Sequence, residues 1–489
     1  MTTALAPAAT RPELTRAGLA TVLLGAALAP IDLFIVNVAL PTINADLHTS
    51  AATLEWIVAG YGVAFALLLV IGGRLGDAFG HRTLFTTGLA AFTLTSLACG
   101  CAPNAGVLVA ARVAQGAAAA LLAPQALSII QATTTGERRS RTLGYYGAAG
   151  GLSMVVGQLL GGVLVAADVA GTGWRPIFLV NVPIGLLGVV LARRLVPRTR
   201  TARPLGVDVP GTGLLGLTLL TLLVPLMEGR ALGWPAWCWV LLAAFPLAAV
   251  AFVTVERRLE ARGRTPVVPP SVVRMPSMRR GLGVAVPLFA GFGGFLFVYA
   301  LTLQDGLHLG PLGSGLAVTP AAVAFLVASL VSSALVARIG SRVVVIGAVV
   351  QTVGLLALVG TVLLNRPDVP VLALVPGMLL TGGGQGLTTT TLFRVILSRV
   401  PADSAGAGSG LLTTTQQIAL ALGVATLGTL FVSLSAPLGM PGALALVTGL
   451  QAALTLGIAC TARRMPDPRG AESSPQGVGE PAPRTTMGM

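Results

Sequence analysis

Lysine is absent from all 489 residues, so each of the 31 basic side chains is arginine. Without lysine there is no phosphate-binding loop of the G-x-x-x-x-G-K-[ST] type and no Schiff base, which excludes ATP hydrolysis by that route and pyridoxal catalysis. Charge of either sign is scarce, at 10% of the chain against roughly 25% in soluble domains. Four cysteines (Cys99, Cys101, Cys238, Cys460) and three histidines (His48, His81, His308) are too few and too scattered for a disulfide framework or a His-rich metal centre. Cys99-x-Cys101 reads as two small packed hydrophobes. No activated nucleophile, metal cluster or paired carboxylate stands out, so the residues favour no enzyme and call for no cofactor.

What fills the chain instead is apolar. Hydrophobic residues make up 54%, with 62 Gly, 32 Pro and a mean hydropathy of +0.86. Fourteen runs of membrane length follow one another, beginning at 17–40 and ending at 441–461. Internal prolines such as Pro30, Pro124 and Pro246 are compatible with membrane helices, whose neighbours re-satisfy the freed backbone groups. The first run lacks an A-x-A-like cleavage site behind a short apolar region and reads as an uncleaved span. The arginines are sharply sorted along this series. By this assignment 27 fall on the side of both termini, three (Arg175, Arg230, Arg366) fall on the other, and Arg112 lies inside a span. The positive-inside rule makes the rich side cytoplasmic. The basic loops lack interleaved aromatics and a domain to present them, so topology explains them better than nucleic acid does.

Two landmarks recur at similar offsets. Gln115-Gly116 in the fourth run is echoed by Gln385-Gly386 in the twelfth, and Phe79-Gly80-His81-Arg82 by Ile339-Gly340-Ser341-Arg342. The offsets suggest a duplication, with chance recurrence of abundant small residues as the alternative; it would make residues 17–195 and 281–461 six-helix halves, with 196–256 carrying two inserted helices and 257–280 a cytoplasmic loop. Residues 1–16 and 462–489 are read as cytoplasmic tails, the second disordered from its Pro, Gly and Ser content.

Only Asp32 and Arg112 lie well inside a span, where a charge costs roughly 2.5–3.5 kcal/mol on insertion scales. If the first run ends near Leu40, Asp32 lies eight residues below that end and Arg112 about seven below the same surface, placing the two at similar depth. Facing each other, attraction favours the charged carboxylate while desolvation favours the neutral one, and a conformational change separating the pair would work as a proton switch. A permanent structural ion pair is the alternative. Asn37, Gln115, Gln158, Gln385, Gln416 and Gln417 are candidates for a polar cavity, or for interhelical bridges. Asp77 lies near the start of the third run, where a helix dipole favours negative charge, while adjacent arginines can reach neighbouring helix ends as a latch.

These residues resemble the major facilitator superfamily, in particular its fourteen-helix drug:proton antiporter branch (EmrB/QacA type), over roughly residues 15–460. Gly73-Arg74-Leu75-Gly76-Asp77-Ala78-Phe79-Gly80-His81-Arg82 is similar to the loop motif between helices 2 and 3. Ile31-Asp32 through Asn37 to Pro41 resembles the first-helix motif, Leu108, Arg112, Gln115 and Gly116 the helix 4 pattern, and Trp174-Arg175 through Asn181 to Gly185 the entry to helix 6. The resemblance implies proton coupling at Asp32 and Arg112 and a conformational latch at Gly73, Arg74, Gly76, Asp77, Gly80 and Arg82. One departure falls in helix 5, where Gly157-Gln158-Leu-Leu-Gly161-Gly162 carries Gln158 in place of the motif's proline. A helix without that proline regains a hydrogen bond and kinks less.

The expectation is an all-α polytopic fold of two six-helix halves plus two inserted helices, exporting small hydrophobic or amphipathic compounds in exchange for protons. It would work as a monomer in the plasma membrane. A metabolite symporter or uniporter of the same fold is the alternative that the missing proline favours.

Overall fold

A computed structural model describes residues 14–199, 208–229, 231–264, 266–365, 369–397, 400 and 405–463. The tails expected before residue 14 and after 463, and the arginines at 200, 203, 230, 366 and 399, lie outside these residues. Among the described residues, thirteen apolar helices are long enough to cross a membrane, the last being a 55-residue stretch, Gly408–Ala462. At 1.5 Å per residue that stretch is more than twice the roughly 30 Å apolar thickness of a bilayer. It breaks at Gly439 (φ 68°, ψ 160°) between Pro437 and Pro441, so it makes two passes and the described residues cross fourteen times.

In chain order these are α1 Arg16–Leu47, α2 Ala51–Phe79, α3 His81–Gly100, α4 Ala105–Thr133, α5 Gly136–Ala167 and α6 Pro176–Leu195. The inserted pair is α7 Val209–Glu228 and α8 Ala236–Ala261. The second half comprises α9 Pro276–Gly306, α10 Pro311–Ile339, α11 Arg342–Leu364, α12 Val371–Leu397, α13 (405–438) and α14 (440–462). An even number of passes puts the two ends of the described chain on one face, called here the terminal face. Short polar side chains start the helices: Thr15, Ser50, Asn104 and Asp208 each accept a backbone N–H of the first turn, relieving donors that a helix start leaves free. α1 runs through Pro41 to Leu47, past its expected end near Leu40. Asp32 therefore sits at mid-helix, fifteen residues from that end, because proline within a membrane helix does not terminate it.

The repeated sequence landmarks have a shared physical cause. Gly80 and Gly340 both take positive φ (96° and 63°), turning the chain from α2 into α3 and from α10 into α11 with almost no loop. Gly116 and Gly386 lie where a Cβ would overlap a carbonyl of the adjacent helix, Tyr61 of α2 and Phe325 of α10 respectively. Equivalent helices thus approach backbone to backbone in each half, as small residues permit in a membrane.

The halves meet along α5–α10, α2–α13 and α1–α9. Away from the terminal face the junction is tight: Gly162 abuts Leu312 and Pro311, Gly315 abuts the Gln158 carbonyl, and Gln304 Nε2 donates to the Val38 carbonyl at 2.6 Å. Toward the terminal face α5 and α10 part. Gly151 still meets Leu326, but around Gly147 and Gly144, one and two turns further on, a Cβ would find nothing within 4 Å. Along this seam the two halves are splayed apart on the side of the termini.

Gly116→Val is expected to lower the melting temperature of the detergent-solubilised protein, since overpacking costs about 1–3 kcal/mol even where side chains can yield, and here a carbonyl blocks the methyls. Gly144→Ala, made into open space, is expected to leave melting unchanged or raise it; equal melting of the two variants in a thermal-shift assay would contradict this packing.

Candidate functional site

Asp32 of α1 and Arg112 of α4 are both fully buried and form a direct ion pair, Arg112 Nη1 donating to Asp32 Oδ2. Five helices supply the surroundings. Asp32 Oδ1 accepts from Gln115 Nε2 of α4 at 2.8 Å and from Asn181 Nδ2 of α6 at 3.0 Å. Gln115 is held by Ser96 of α3, its Nε2 donating to Ser96 Oγ at 2.8 Å while its Oε1 accepts from Arg112 Nη1 at 2.6 Å. Arg112 Nε donates to the Ile57 carbonyl of α2 at 3.0 Å, and its guanidinium carbon sits 4.5 Å from the centre of the Tyr61 ring and 5.7 Å from that of Phe178. Such faces stabilise a desolvated cation. Arg112 Nη2 has no hydrogen-bond partner among the described residues.

The geometry is that of a buried charge pair with its hydrogen bonds supplied from the surrounding helices. A buried carboxylate needs its lone pairs satisfied, and here three neutral or cationic donors from two helices converge on it. A proton on Asp32 would cancel its attraction for Arg112 and leave the Gln115 and Asn181 donors in place. Beside Pro30, within the continuous α1, Tyr61 Oη donates to the Ala29 carbonyl at 3.3 Å and Ser153 Oγ of α5 to the Ala27 carbonyl at 3.3 Å.

A second region lies at the junction of the halves, where three cavities of about 10, 10 and 20 Å³ each admit roughly one water. Asn37 lines two of them; its Nδ2 is used on the Leu33 carbonyl at 2.8 Å and its buried Oδ1 is unpartnered among the described residues. Gln158 lines the first cavity together with Tyr299 and Ser314. Gln385 lines the second, its Oε1 accepting from Gln351 Nε2 of α11 at 2.6 Å. Aromatic rings form the walls: Phe292 and Phe325 lie parallel with centroids 6.5 Å apart, and Phe295 and Tyr299 are 4.3 Å apart. No charged side chain lines any of the three cavities.

Two sequence candidates for the cavity are displaced. Gln115 belongs to the Asp32 cluster rather than the cavity, because its position three residues after Arg112 turns it to the same helix face. Gln416 lines none of the three cavities, whereas its neighbour Gln417 lines the third with an unpartnered Oε1, about 100° further round the helix. Cys99 is buried and its thiol donates to Gln115 Oε1 at 3.5 Å, while Cys101 is exposed, so only the first packs as expected. Ser96, Gln351 and Gln451 were not foreseen, since nothing in the local pattern separates them from other polar residues in an apolar run. Asn181 was visible only as part of the helix 6 motif.

The loop motif is built as a set of contacts between helix ends. Gly76 lies against the side chain of Gln125 on α4, which donates through Nε2 to the Gly72 carbonyl at 2.7 Å and contacts His81 Nδ1 at 3.0 Å. Gly73 has ordinary room beside Pro124, 3.8 Å away. Asp77 stands in the last turn of α2, its Oδ1 3.6 Å from His81 Nε2 at the first position of α3. Arg82 donates to the Val196 carbonyl at the end of α6 at 3.3 Å, and Arg74 to the Pro266 carbonyl between the halves at 2.8 Å. In α5, Gly157 and Gly161 abut α1 at Phe34 and Ile35, while Gly162 faces α10.

The family model described as Major Facilitator Superfamily matches residues 22–424. A probable actinorhodin transporter of Streptomyces coelicolor is 38% identical over 84% of this chain and 72% of its own length. A cephamycin export protein of Amycolatopsis lactamdurans is 40% identical over 86% of this chain and 85% of its own, and a puromycin resistance protein of Streptomyces alboniger 37% over 84% and 81%. Among solved structures, a peptide transporter in complex with sulfate superposes with a TM-score of 0.67 at 15% identity, covering 93% of this chain and 97% of the other, which is a likeness of fold.

Removing one partner of a buried ion pair costs about 3–5 kcal/mol, whereas replacing both by neutral groups is far less damaging. Arg112→Met is therefore expected to melt well below the parent protein, and Asp32→Asn with Arg112→Met to recover most of the loss; a double variant no more stable than the single would show that the two charges are not coupled.

Proposed function

The chain belongs to the major facilitator superfamily, and on that premise we propose that it exports small neutral or amphipathic compounds through the plasma membrane in exchange for protons. The observation that carries this reading is the buried Asp32–Arg112 pair, set apart from three central cavities that no charged side chain lines. The named relatives include exporters and resistance proteins for antibiotics, which supports a cargo of that size and polarity.

The arginine bias puts the terminal face in the cytoplasm. The splayed conformation is then the one that takes cargo from inside, and it is the one in which Asp32 is paired with Arg112, as fits a carrier that has just released its proton inward. Proton entry from outside would part the pair in the alternate state. Asn37 lies five residues beyond Asp32, about 7.5 Å along the same helix, so movement of α1 reaches both the proton site and the cavity. Parallel rings and side-chain amides offer stacking and hydrogen bonds to an aromatic, carbonyl-bearing compound, and nothing there pairs with a cation.

One proton moving down about 100 mV and one pH unit supplies roughly 2.3 and 1.4 kcal/mol from the two terms. For one-to-one exchange with a neutral cargo, that sustains a gradient of several hundred-fold, at about 1.4 kcal/mol per tenfold. The unit of function in this reading is the monomer. Residues 17–195 and 281–461 act as the moving halves, and 196–256 and 257–280 as the insert and linking loop.

In inverted vesicles, cargo entry is expected to drive proton exit; co-entry of protons with cargo would instead support the symporter reading that Gln158 in the helix 5 motif leaves open. Asp32→Asn is expected to insert normally and to abolish proton-coupled export, so undiminished resistance in cells producing it would sink the proposal. Gly147→Leu fills the space that α5 and α10 must close, and is expected to bind cargo from the cytoplasmic side yet fail to complete transport; normal turnover would mean that this gap never closes.

A further inference from the structure

The inserted helices carry little buried polarity, which makes their one concentration of it informative. α8 buries only Cys238, Ala248 and Glu256 among its described side chains, so Glu256 is its single buried charged residue, 1% exposed near the terminal face. Asp208, the residue that caps α7, is 7% exposed. Both carboxylates crowd the same point: a Cβ on Gly211 would overlap Asp208 Oδ2 and Glu256 Oε1 alike, so the two oxygens face each other across the space of one missing methyl group.

Their remaining oxygens are satisfied by backbone donors. Asp208 Oδ1 accepts from Gly211 N at 2.8 Å and Oδ2 from Val267 N at 3.2 Å, while Glu256 Oε2 accepts from Val268 N at 2.6 Å. Glu256 Oε1 has no hydrogen-bond partner among the described residues. An ordinary helix cap needs only one carboxylate oxygen and is exposed to water. Here a second carboxylate is brought to it, buried, with one oxygen lacking a donor and an acceptor directly opposite.

We infer that Asp208 and Glu256 form a proton-binding site, separate from Asp32, that docks the inserted hairpin onto α2 and the segment linking the halves. One proton shared between Glu256 Oε1 and Asp208 Oδ2 supplies the missing hydrogen bond and leaves the pair with a single negative charge. Two carboxylates at such range cannot both stay ionised without strong repulsion. Arg74 of α2, within electrostatic reach of both carboxylates and of Asp77, balances that single charge and donates to the Pro266 carbonyl. Pro266–Val268 is thus held from two sides, by an arginine of the loop motif and by the carboxyl pair. Loss of the proton to water at the terminal face makes the pair doubly negative, leaves Arg74 insufficient, and loosens the three-residue strap. The site is independent of what the central cavity carries.

The test uses the full chain, purified in lipid nanodiscs, in an Asp32→Asn background so that the central site is silent. Infrared difference spectra between acid and alkaline pH are expected to show a carboxylic-acid C=O band that disappears as pH rises and is absent once Glu256→Gln or Asp208→Asn is added. Melting temperature is expected to fall from acid to alkaline pH in the background protein and to be nearly flat with Glu256→Gln, whose amide donates to Asp208 permanently. Gly211→Ala keeps both carboxyls but forces them apart, and is expected to lose the band as well, which covers the case where a charge variant fails to fold. A band that survives Glu256→Gln, an unchanged pH response of melting, or stabilisation by sodium ions in place of protons would each overturn the inference.

Discussion

A charge taken out of water must find its counter-charge and enough hydrogen bonds to replace its hydration, and the first half of this protein is arranged around that demand at Asp32. α1 supplies the carboxylate, α4 the guanidinium and an amide, α6 a second amide, α3 a hydroxyl that orients the first amide, and α2 a carbonyl and an aromatic face. No single helix could hold the pair. The site exists only when five helices are packed, so its chemistry and the half's assembly are one constraint, and shifting any of the five alters how strongly Arg112 holds the carboxylate.

The second half shows what the duplicated fold looks like without that charge. Gln385 occupies the place corresponding to Gln115 and again reaches the preceding helix of its half, bonding Gln351 on α11 as Gln115 bonds Ser96 on α3. The residue three before it, however, is Gly382, whose missing Cβ lets α12 rest on the Ala321 backbone of α10. Where one half buries an arginine, the other closes its helices on glycine. The polar groups that the second half brings to the cavity walls are then uncharged, amides such as Gln385 and Gln451 and hydroxyls such as Ser314 and Thr381.

Much of this was legible in the sequence because membranes penalise a few things heavily. Apolar run lengths gave the passes, and the two charges inside runs were found and matched in depth, although α1 runs on to Leu47, past the end near Leu40 that the first run suggested. The Gln-Gly and Gly-x-Arg echoes marked positions where backbone must approach backbone or take positive φ, constraints strong enough to survive in both halves. What escaped was angular. Gln115 against the cavity, or Gln416 against Gln417, differ by rotation about a helix that is apolar on all sides, and a run with no polar face carries no phase to read. Asp208 and Glu256 escaped for another reason: at span ends, 48 residues apart, each looks like an ordinary member of a polar loop.

That last pair bears on why two extra helices persist in a fold whose halves already meet without them. The hairpin touches both halves. At the end away from the termini Trp56 Nε1 of α2 donates to Glu228 Oε1 at 2.9 Å, and Thr429 Oγ1 of α13 donates to Glu55 of α2 at 2.9 Å and contacts the Leu226 carbonyl of α7 at 3.4 Å. At the terminal face Arg74 and the carboxyl pair grip the linking segment. α2 and α13 belong to opposite halves, so any rocking of one half against the other must either carry the hairpin with one of them or break a contact to it. α8 buries few of its side chains, whereas the polar contacts at its base and at the far end of α7 are specific hydrogen bonds. The polar contacts that tie the hairpin to the rest of the protein are thus concentrated at those two ends, with an apolar length of α7 lying along α2 between them.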